Sequence, residues 1–183
     1  MSKIDSLLLN YHKHVRIPWR SDAAPMQRVW FCVYDPKDEK NLRAKLEEFE
    51  LATIQSSKKW LQYDLSDSFA QWLSAHPYAE QYFKSPKLLK TILPNYKAYL
   101  ISQIEARVNS KGADGDTAFA ICGVGSLFGF LKVKELIESI APLVKGRLVV
   151  FFPGTYENNN YRLLDGYDGW SYLAIPITSD NES

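Results

Sequence analysis

The chain has 183 residues, 46% of them hydrophobic, so it can bury a core without disulfide or metal staples and is too apolar to be disordered. Its 22 basic and 21 acidic side chains nearly cancel, which gives no global electrostatic field for nucleic acid or an anionic membrane. No segment approaches the roughly 20 apolar residues of a membrane span. We expect a single soluble domain in the cytoplasm.

The first predicted elements are an amphipathic helix and a buried strand. Ser2 and Asp5 have the spacing of a capping box, and apolar residues recur behind them at helical spacing. The run RVWFCVY is too short for a helix and continuously apolar, as in a strand that is covered on both faces. Asp35 and Pro36 then suit the start of a second helix. The apolar stripe of that helix consists of Leu42, Leu46, Phe49 and Ile54.

Strands and helices continue to alternate along the rest of the chain. A short helix follows Ser66 or Asp67, and a longer one covers about Leu88 to Val108, with Pro94 inside it. After the loop NSKGADGD, a strand passes straight into another helix at the segment GVGSLFG. The five predicted strands carry VWFCV, KWLQYDL, AFAICGV, LVVFF and WSYLAIPI.

This alternation predicts an α/β fold, a three-layer sandwich with a mostly parallel sheet of about five strands flanked by helices. It would be Rossmann-like or P-loop-NTPase-like without a phosphate-binding loop. We divide residues 1–183 into an amino-terminal helix and linker over 1–24, a core over 25–178 and a tail over 179–183. Ligands of such sheets bind beyond the carboxyl ends of the strands. The sequence places there Asp35, Asp64 to Asp67, Gly123 to Gly129 and the stretch PGTYENNNYRLL.

No catalytic motif is complete in the sequence. Gly123, Gly125 and Gly129 follow a strand, but the dinucleotide fingerprint needs its third glycine one residue earlier. A Walker A loop is absent, and Ser126 does not stand in a nucleophile elbow. The three histidines and two cysteines show no metal-ligand spacing. We therefore predict a protein that is not an enzyme and that has no cofactor and no metal site.

Polar residues are concentrated in PGTYENNNYRLL, directly after a buried strand. One interpretation is a capped turn, because asparagine and glycine tolerate left-handed backbone. The other is a recognition surface, because tyrosine and arginine are enriched at the energetic centres of interfaces. The predicted partner-binding residues are Tyr156, Glu157, Asn158, Asn159, Asn160, Tyr161 and Arg162. The structural interpretation of the asparagines stays open beside this one.

Four stretches together resemble the BrxB family. They are QRVWFCVYDP, LRAKLEEFELAT, GVGSLFGFLKVKELIESIAP and GRLVVFFPGTYENNNYRLLDGYDGWSYLAIPIT, and the resemblance runs from near residue 1 to about residue 178. BrxB proteins are encoded in BREX operons, bacterial and archaeal antiviral defence systems that methylate host DNA and give phage resistance.

The resemblance implies a non-catalytic accessory or adaptor subunit that acts by protein–protein interaction. Its partners would be other BREX proteins, notably PglZ, which has an alkaline-phosphatase-like fold. Methylation and ATP hydrolysis belong to other subunits of these systems. Nucleic acid would be met only within the assembled complex, and no membrane contact is expected.

Two other classes of function remain open from the residues alone. A degenerate nucleotide- or nucleic-acid-binding domain would use the loop Gly123 to Gly129. Its basic residues would be either Arg162 or the two lysines Lys132 and Lys134. A cryptic metal-dependent hydrolase would instead hold its metal with Asp35, Asp64 and Glu157.

Overall fold

The computed structural model describes residues 1–110, 112–166 and 170–180, so position 111 of the loop NSKGADGD, positions 167–169 and the end of the predicted tail lie outside it. The described strands are β1 (Val29–Tyr34), β2 (Lys59–Asp64), β3 (Thr117–Cys122), β4 (Arg147–Glu157), β5 (Asn160–Leu163), β6 (Trp170–Ser171) and β7 (Ile175–Ile177). The helices are α1 (Lys3–Val15), α2 (Glu39–Gln55), α3 (Ser68–Ser74), α4 (Ala79–Lys84), α5 (Leu89–Val108) and α6 (Val133–Ile140). No helix in these ranges combines the length and apolar character needed to cross a membrane.

Five strands form a parallel sheet in the order β2-β3-β4-β1-β7. Alternate residues of β1 point to opposite faces, with Phe31 in one hydrophobic core and Cys32 in the other. Helices α1 and α2 cover the Cys32 face, whereas α3, α5 and α6 cover the Phe31 face. The predicted three-layer α/β sandwich with a mostly parallel sheet is therefore confirmed.

The amino-terminal helix is one layer of this sandwich. The predicted capping box is present, since the Asp5 N–H donates to Ser2 Oγ at 3.1 Å and the Ser2 N–H donates to Asp5 Oδ2 at 2.9 Å. Tyr11 is fully buried on the inner side of α1, and its hydroxyl lies 2.6 Å from Thr53 Oγ1 of α2. This packing places α1 against α2 in the hydrophobic core on the Cys32 face of the sheet.

Strand β4 is longer than predicted and belongs to two sheets. Its first part pairs in parallel with β1 and β3, and from Gly154 to Glu157 it pairs antiparallel with β5. Asn158 and Asn159 connect β4 to β5 with positive φ angles of 50° and 63°, as a tight two-residue hairpin turn requires. The hairpin was not predicted as a pair of strands, and β6 extends it on the far side of β5.

Three further predictions about elements are wrong. The strand β3 does not pass straight into a helix, because a 3₁₀ turn and the positive φ of Gly129 intervene before α6 starts at Val133. The segment WSYLAIPI is two strands, since β6 pairs with β5 whereas β7 pairs with β1. Ile54 does not belong to the buried stripe of α2, because its side chain is 53% exposed.

The carboxyl ends of β1 and β2 are tied together by Arg43 of α2. Its guanidinium donates to Glu39 Oε1 and Asp64 Oδ2, each at 2.8 Å, and to Ser66 Oγ at 2.6 Å. Glu39 also accepts a hydrogen bond from the hydroxyl of Tyr34. Burial opposes ionisation of the Asp64 carboxyl, but the hydrogen bonds from Arg43 and Ser66 outweigh it and hold the pKa of Asp64 below its ordinary value of 3.8.

The first prediction concerns Gly154, where the backbone of β5 lies close to that of β4. A Cβ atom at this position would lie 1.9 Å from the Arg162 carbonyl oxygen. Gly154→Ala should therefore push β5 away from β4 and lower the free energy of unfolding by about 1–3 kcal/mol. Gly115→Ala is the matched control, since a Cβ there meets nothing within 4 Å. Equal stability of the two variants in urea denaturation would contradict the close approach.

The second prediction concerns the pH dependence of stability. Because the pKa of Asp64 is lower in the folded chain, its stabilising effect is full above pH 3.8 and is lost as the pH falls further. The difference in unfolding free energy between the wild type and Asp64→Asn should be largest near neutral pH and shrink on acidification. Asp67→Asn removes the same charge from an exposed residue whose side chain makes no capping hydrogen bond. An identical pH profile for the two variants would exclude a stabilising Asp64–Arg43 pair.

Candidate functional site

The predicted partner-binding segment forms the tip of the β4–β5 hairpin. Tyr156 stands opposite Tyr161 with ring centroids 4.6 Å apart, and Glu157 stands opposite Asn160. The Tyr156 hydroxyl donates to Asn159 Oδ1 at 3.2 Å, which fastens the turn to the strand. The structural interpretation of the asparagines thus agrees with the turn at 158–159, while Asn160 is a strand residue.

Strand alternation divides this hairpin into an inner and an outer face. Tyr161 is fully buried, its hydroxyl donates to the Ala174 carbonyl at 2.7 Å, and burial raises its pKa. Its ring therefore anchors the hairpin in the core and is not a surface for a partner. The outer face, as we call it, consists of the exposed residues Thr155, Glu157, Asn160 and Arg162. Sequence reasoning missed Thr155, which the period of two along β4 would have indicated once β5 was recognised.

The carboxylates at the carboxyl ends of β1 and β2 each have a separate structural role. Asp35 accepts the Lys37 N–H at 3.0 Å and caps a 3₁₀ turn before α2, whereas Asp64 is held by Arg43. Among the described residues, no group of three or more His, Cys, Asp or Glu side chains could hold a metal ion. Asp35, Asp64 and Glu157 are all described, so the arrangement that a metal-dependent hydrolase would use is not assembled here.

Both cysteines are buried strand residues with free thiols. Burial, with a smaller effect of the nearby Asp64 carboxylate, raises the pKa of Cys122 to about 12. Burial alone raises the pKa of Cys32. The nucleophile in cysteine chemistry is the thiolate, so at neutral pH these thiols behave as small apolar side chains.

The glycine loop after β3 has a packing role at its first residue. Gly123 has a φ of 77°, and a Cβ there would lie 2.5 Å from Ser66 Oγ and 2.6 Å from Asp64 Oδ1. The dinucleotide fingerprint needs a helix amino terminus at the end of the glycine loop to hold the pyrophosphate. Here α6 begins at Val133, four residues after Gly129. The loop therefore lacks the structural context of that fingerprint.

An open groove of about 1180 Å³ lies beside this loop, and sequence reasoning missed it. One wall is a single stripe of α5, and the other is the segment 128–135 together with residues from the end of β5 and from β6. The stripe on α5 consists of Lys90, Leu93, Pro94 and Lys97, at the i, i+3, i+4, i+7 spacing of one helix face. Two aromatic residues of the second wall are exposed, Phe128 by 52% and Phe130 by 37%.

Basic side chains line the groove on both walls, as Lys132 and Lys134 stand opposite the α5 stripe. Arg162 lies on the outer face of the hairpin and does not line the groove. Of the two alternatives expected for a nucleotide site, Arg162 or the pair Lys132 and Lys134, only the lysines line the groove. Trp170 lines the groove as well, and among the described residues its buried Nε1 has no hydrogen-bond acceptor.

Comparison with known proteins identifies the family. A search of curated proteins and a search of solved structures each returned no significant match. The family model described as "BREX protein BrxB" matches residues 64–175, which is more than half of the chain and includes the hairpin and both walls of the groove. The match begins at the last residue of β2. For the preceding elements α1, β1 and α2, only the resemblance in sequence supports membership of this family. The chain belongs to the BrxB family of BREX proteins and is thereby a component of a BREX defence system.

Proposed function

We propose that this BrxB-family chain is a non-catalytic accessory subunit that acts by binding other BREX proteins, with PglZ as its main partner. The observation that carries the proposal is the outer face of the β4–β5 hairpin. Four polar side chains project from two paired strands and are all exposed. Paired strands fix the backbone from which these side chains project, so binding requires little further loss of backbone freedom.

The support beneath the outer face is an aromatic cluster. The Tyr161 ring lies 4.7 Å from the ring of Phe31 in β1 and 5.8 Å from that of Phe152 in β4, centroid to centroid. Tyr156, directly opposite Tyr161 on the same face of the hairpin, packs against its ring and is half-buried. The hairpin is therefore joined to the central strands of the parallel sheet and can present its outer face as a rigid surface.

The chemistry of the outer face suits a polar interface. Arginine is enriched in protein interfaces, and amide side chains such as Asn160 adapt their hydrogen bonds to a partner. Glu157 and Arg162 put both signs of charge on one small surface, which favours one orientation of a partner with the complementary pattern. We infer that the hairpin supplies specificity as well as contact.

The non-catalytic part of the proposal is supported by the positions of the candidate side chains. Asp35 caps a turn, Asp64 is paired with Arg43, and the Cys122 thiol is buried. Each of these groups thus has a structural role, and Glu157 stands at an exposed strand end. An accessory subunit needs no reacting group, since its effect comes from the proteins it brings together.

The third prediction tests the hairpin as an interface. The double variant Glu157→Lys with Arg162→Glu exchanges the two charges and leaves the net charge unchanged. Co-purification with tagged PglZ from cells that express the whole BREX operon should fall by about tenfold or more, because opposed like charges cost several kcal/mol. The melting temperature should stay near that of the wild type, since both side chains are exposed.

A matched control exchanges Glu105→Lys with Arg107→Glu on the exposed side of α5. It should co-purify as the wild type does. Tyr161→Ala is unsuitable as an interface test, because removal of this buried ring would unfold the hairpin. Unchanged recovery of PglZ with the Glu157/Arg162 variant would exclude the hairpin, and failure of the wild-type chain to recover any BREX protein would overturn the accessory role itself.

The fourth prediction tests the absence of catalysis. The purified chain should hydrolyse neither ATP nor simple phosphoesters, with or without Mg²⁺ or Mn²⁺, because Asp35 caps a turn, Asp64 is paired with Arg43 and the Cys122 thiol is buried. Trace turnover from a contaminating enzyme would persist in the variants Asp35→Asn and Glu157→Gln. Turnover that copurifies with the wild type and disappears in either variant would show that the chain is an enzyme.

A further inference from the structure

The groove between α5 and the segment 128–135 is the second surface of the chain with the character of a binding site, and the hairpin proposal makes no use of it. Its volume of about 1180 Å³ exceeds the roughly 300–1,000 Å³ of a typical small-molecule pocket. It is open to solvent, and its two walls come from distant parts of the sequence. These dimensions suit an extended ligand better than an enclosed cofactor.

The charges around the groove are unevenly distributed. Its lining contains four lysines, Lys90, Lys97, Lys132 and Lys134, but only two carboxylates, Glu135 and Asp165. Lys97 lies 3.9 Å from Glu135, which is a long and half-exposed ion pair. Lys90 and Lys132, one on each wall, have no ion-pair partner within the described residues. The groove therefore presents an excess of positive charge to whatever enters it.

Between these lysines the surface is apolar. Leu93 and Pro94 lie between Lys90 and Lys97 on one wall, and Phe128 and Phe130 are exposed on the other. One face of Phe130 already stacks on Phe69, with centroids 4.2 Å apart. Stacking of successive bases needs several free aromatic faces. A surface of leucine, proline and two phenylalanines, one of which is already covered on one face, instead favours aliphatic and aromatic side chains of a protein.

We propose that this groove binds an acidic segment of a partner protein, in which apolar side chains fill the floor and flanking carboxylates pair with the lysines of both walls. The lysines at both rims would steer the segment and fix its direction, while burial of the apolar side chains would supply most of the affinity. Exposed apolar surface of this kind, rimmed by polar residues, marks an interaction site in a protein.

This site is distinct from the outer face of the hairpin, and it goes beyond the proposed function because it gives the subunit a second contact. The two surfaces share no residue. A subunit with two separate contacts can hold two proteins, or two parts of one protein, near each other. Once one contact has formed, the local concentration of the partner at the second contact rises, and the overall affinity increases without any additional contact.

The test uses the full chain and a displayed library of random peptides of roughly 16 residues, about four helical turns. Peptides are selected on the wild type and then measured against the double variant Lys90→Glu with Lys132→Glu. We expect the enriched peptides to combine acidic and apolar residues, to bind more weakly as salt is raised, and to lose about tenfold or more in affinity for the variant. The melting temperature of the variant confirms that it is folded.

The matched control carries the same change of charge on the opposite side of the sheet, as Lys3→Glu with Lys40→Glu, and should bind the selected peptides as the wild type does. Binding of the peptides is also measured in the presence of a single-stranded oligonucleotide and of ATP. The proposal is overturned if the library yields no binder, if the enriched peptides are basic or neutral, or if they bind the Lys90/Lys132 variant normally. It is equally overturned if the oligonucleotide or ATP binds the groove and the peptides do not.

Discussion

The strand pair β1–β4 must be kept out of water on both faces, and the positions of the other elements follow from that need. Every residue of β1 is buried, and β4 is buried from Arg147 to Gly154. A parallel sheet has no solvated face, because its connections cross over it and its side chains are apolar on both sides. Hence α1 and α2 are required on one side and α5 and α6 on the other. The amino-terminal helix is part of this cover, so its capping box stabilises the sheet indirectly.

The same strand pair also determines where the surface features lie. β4 continues beyond the carboxyl ends of its parallel neighbours, and its last residues form the hairpin with β5. The core below the hairpin therefore sets the position of the outer face. The groove has a different origin, since it lies where the loop after β3 fails to continue directly into α6. The outer face and the groove thus both lie where a strand ends at its carboxyl side, the outer face after β4 and the groove after β3.

Much of the fold could be predicted because long apolar runs have few structural alternatives. VWFCV, AFAICGV and LVVFF are too short for buried helices and are bounded by turn residues, and all three are adjacent in the parallel sheet. β5 was missed because its four residues alternate in polarity and give little signal alone. WSYLAIPI was predicted as one strand because its change of partner, from β5 to β1, is a tertiary effect that periodicity does not contain.

The candidate site was harder to predict than the fold. The polar stretch was found from composition, but only strand pairing shows that Tyr161 points inward and Arg162 outward. The groove could not be found from sequence, because Lys90 and Lys132 become its two rims only when α5 is packed beside the loop after β3. Surfaces assembled from distant segments carry no local pattern that a sequence window would detect.

The strand order also has a consequence for the synthesis of this protein on the ribosome. β1 is made early, yet its hydrogen-bonded neighbours are β4 and β7, and Val29 must wait for Leu148 to be synthesised. Until then the apolar run VWFCVY emerges with an unpaired backbone, covered at best by α1 and α2. Non-local parallel pairing is slow and leaves such segments open to self-association. Most of this chain must therefore be synthesised before its first strand can pair.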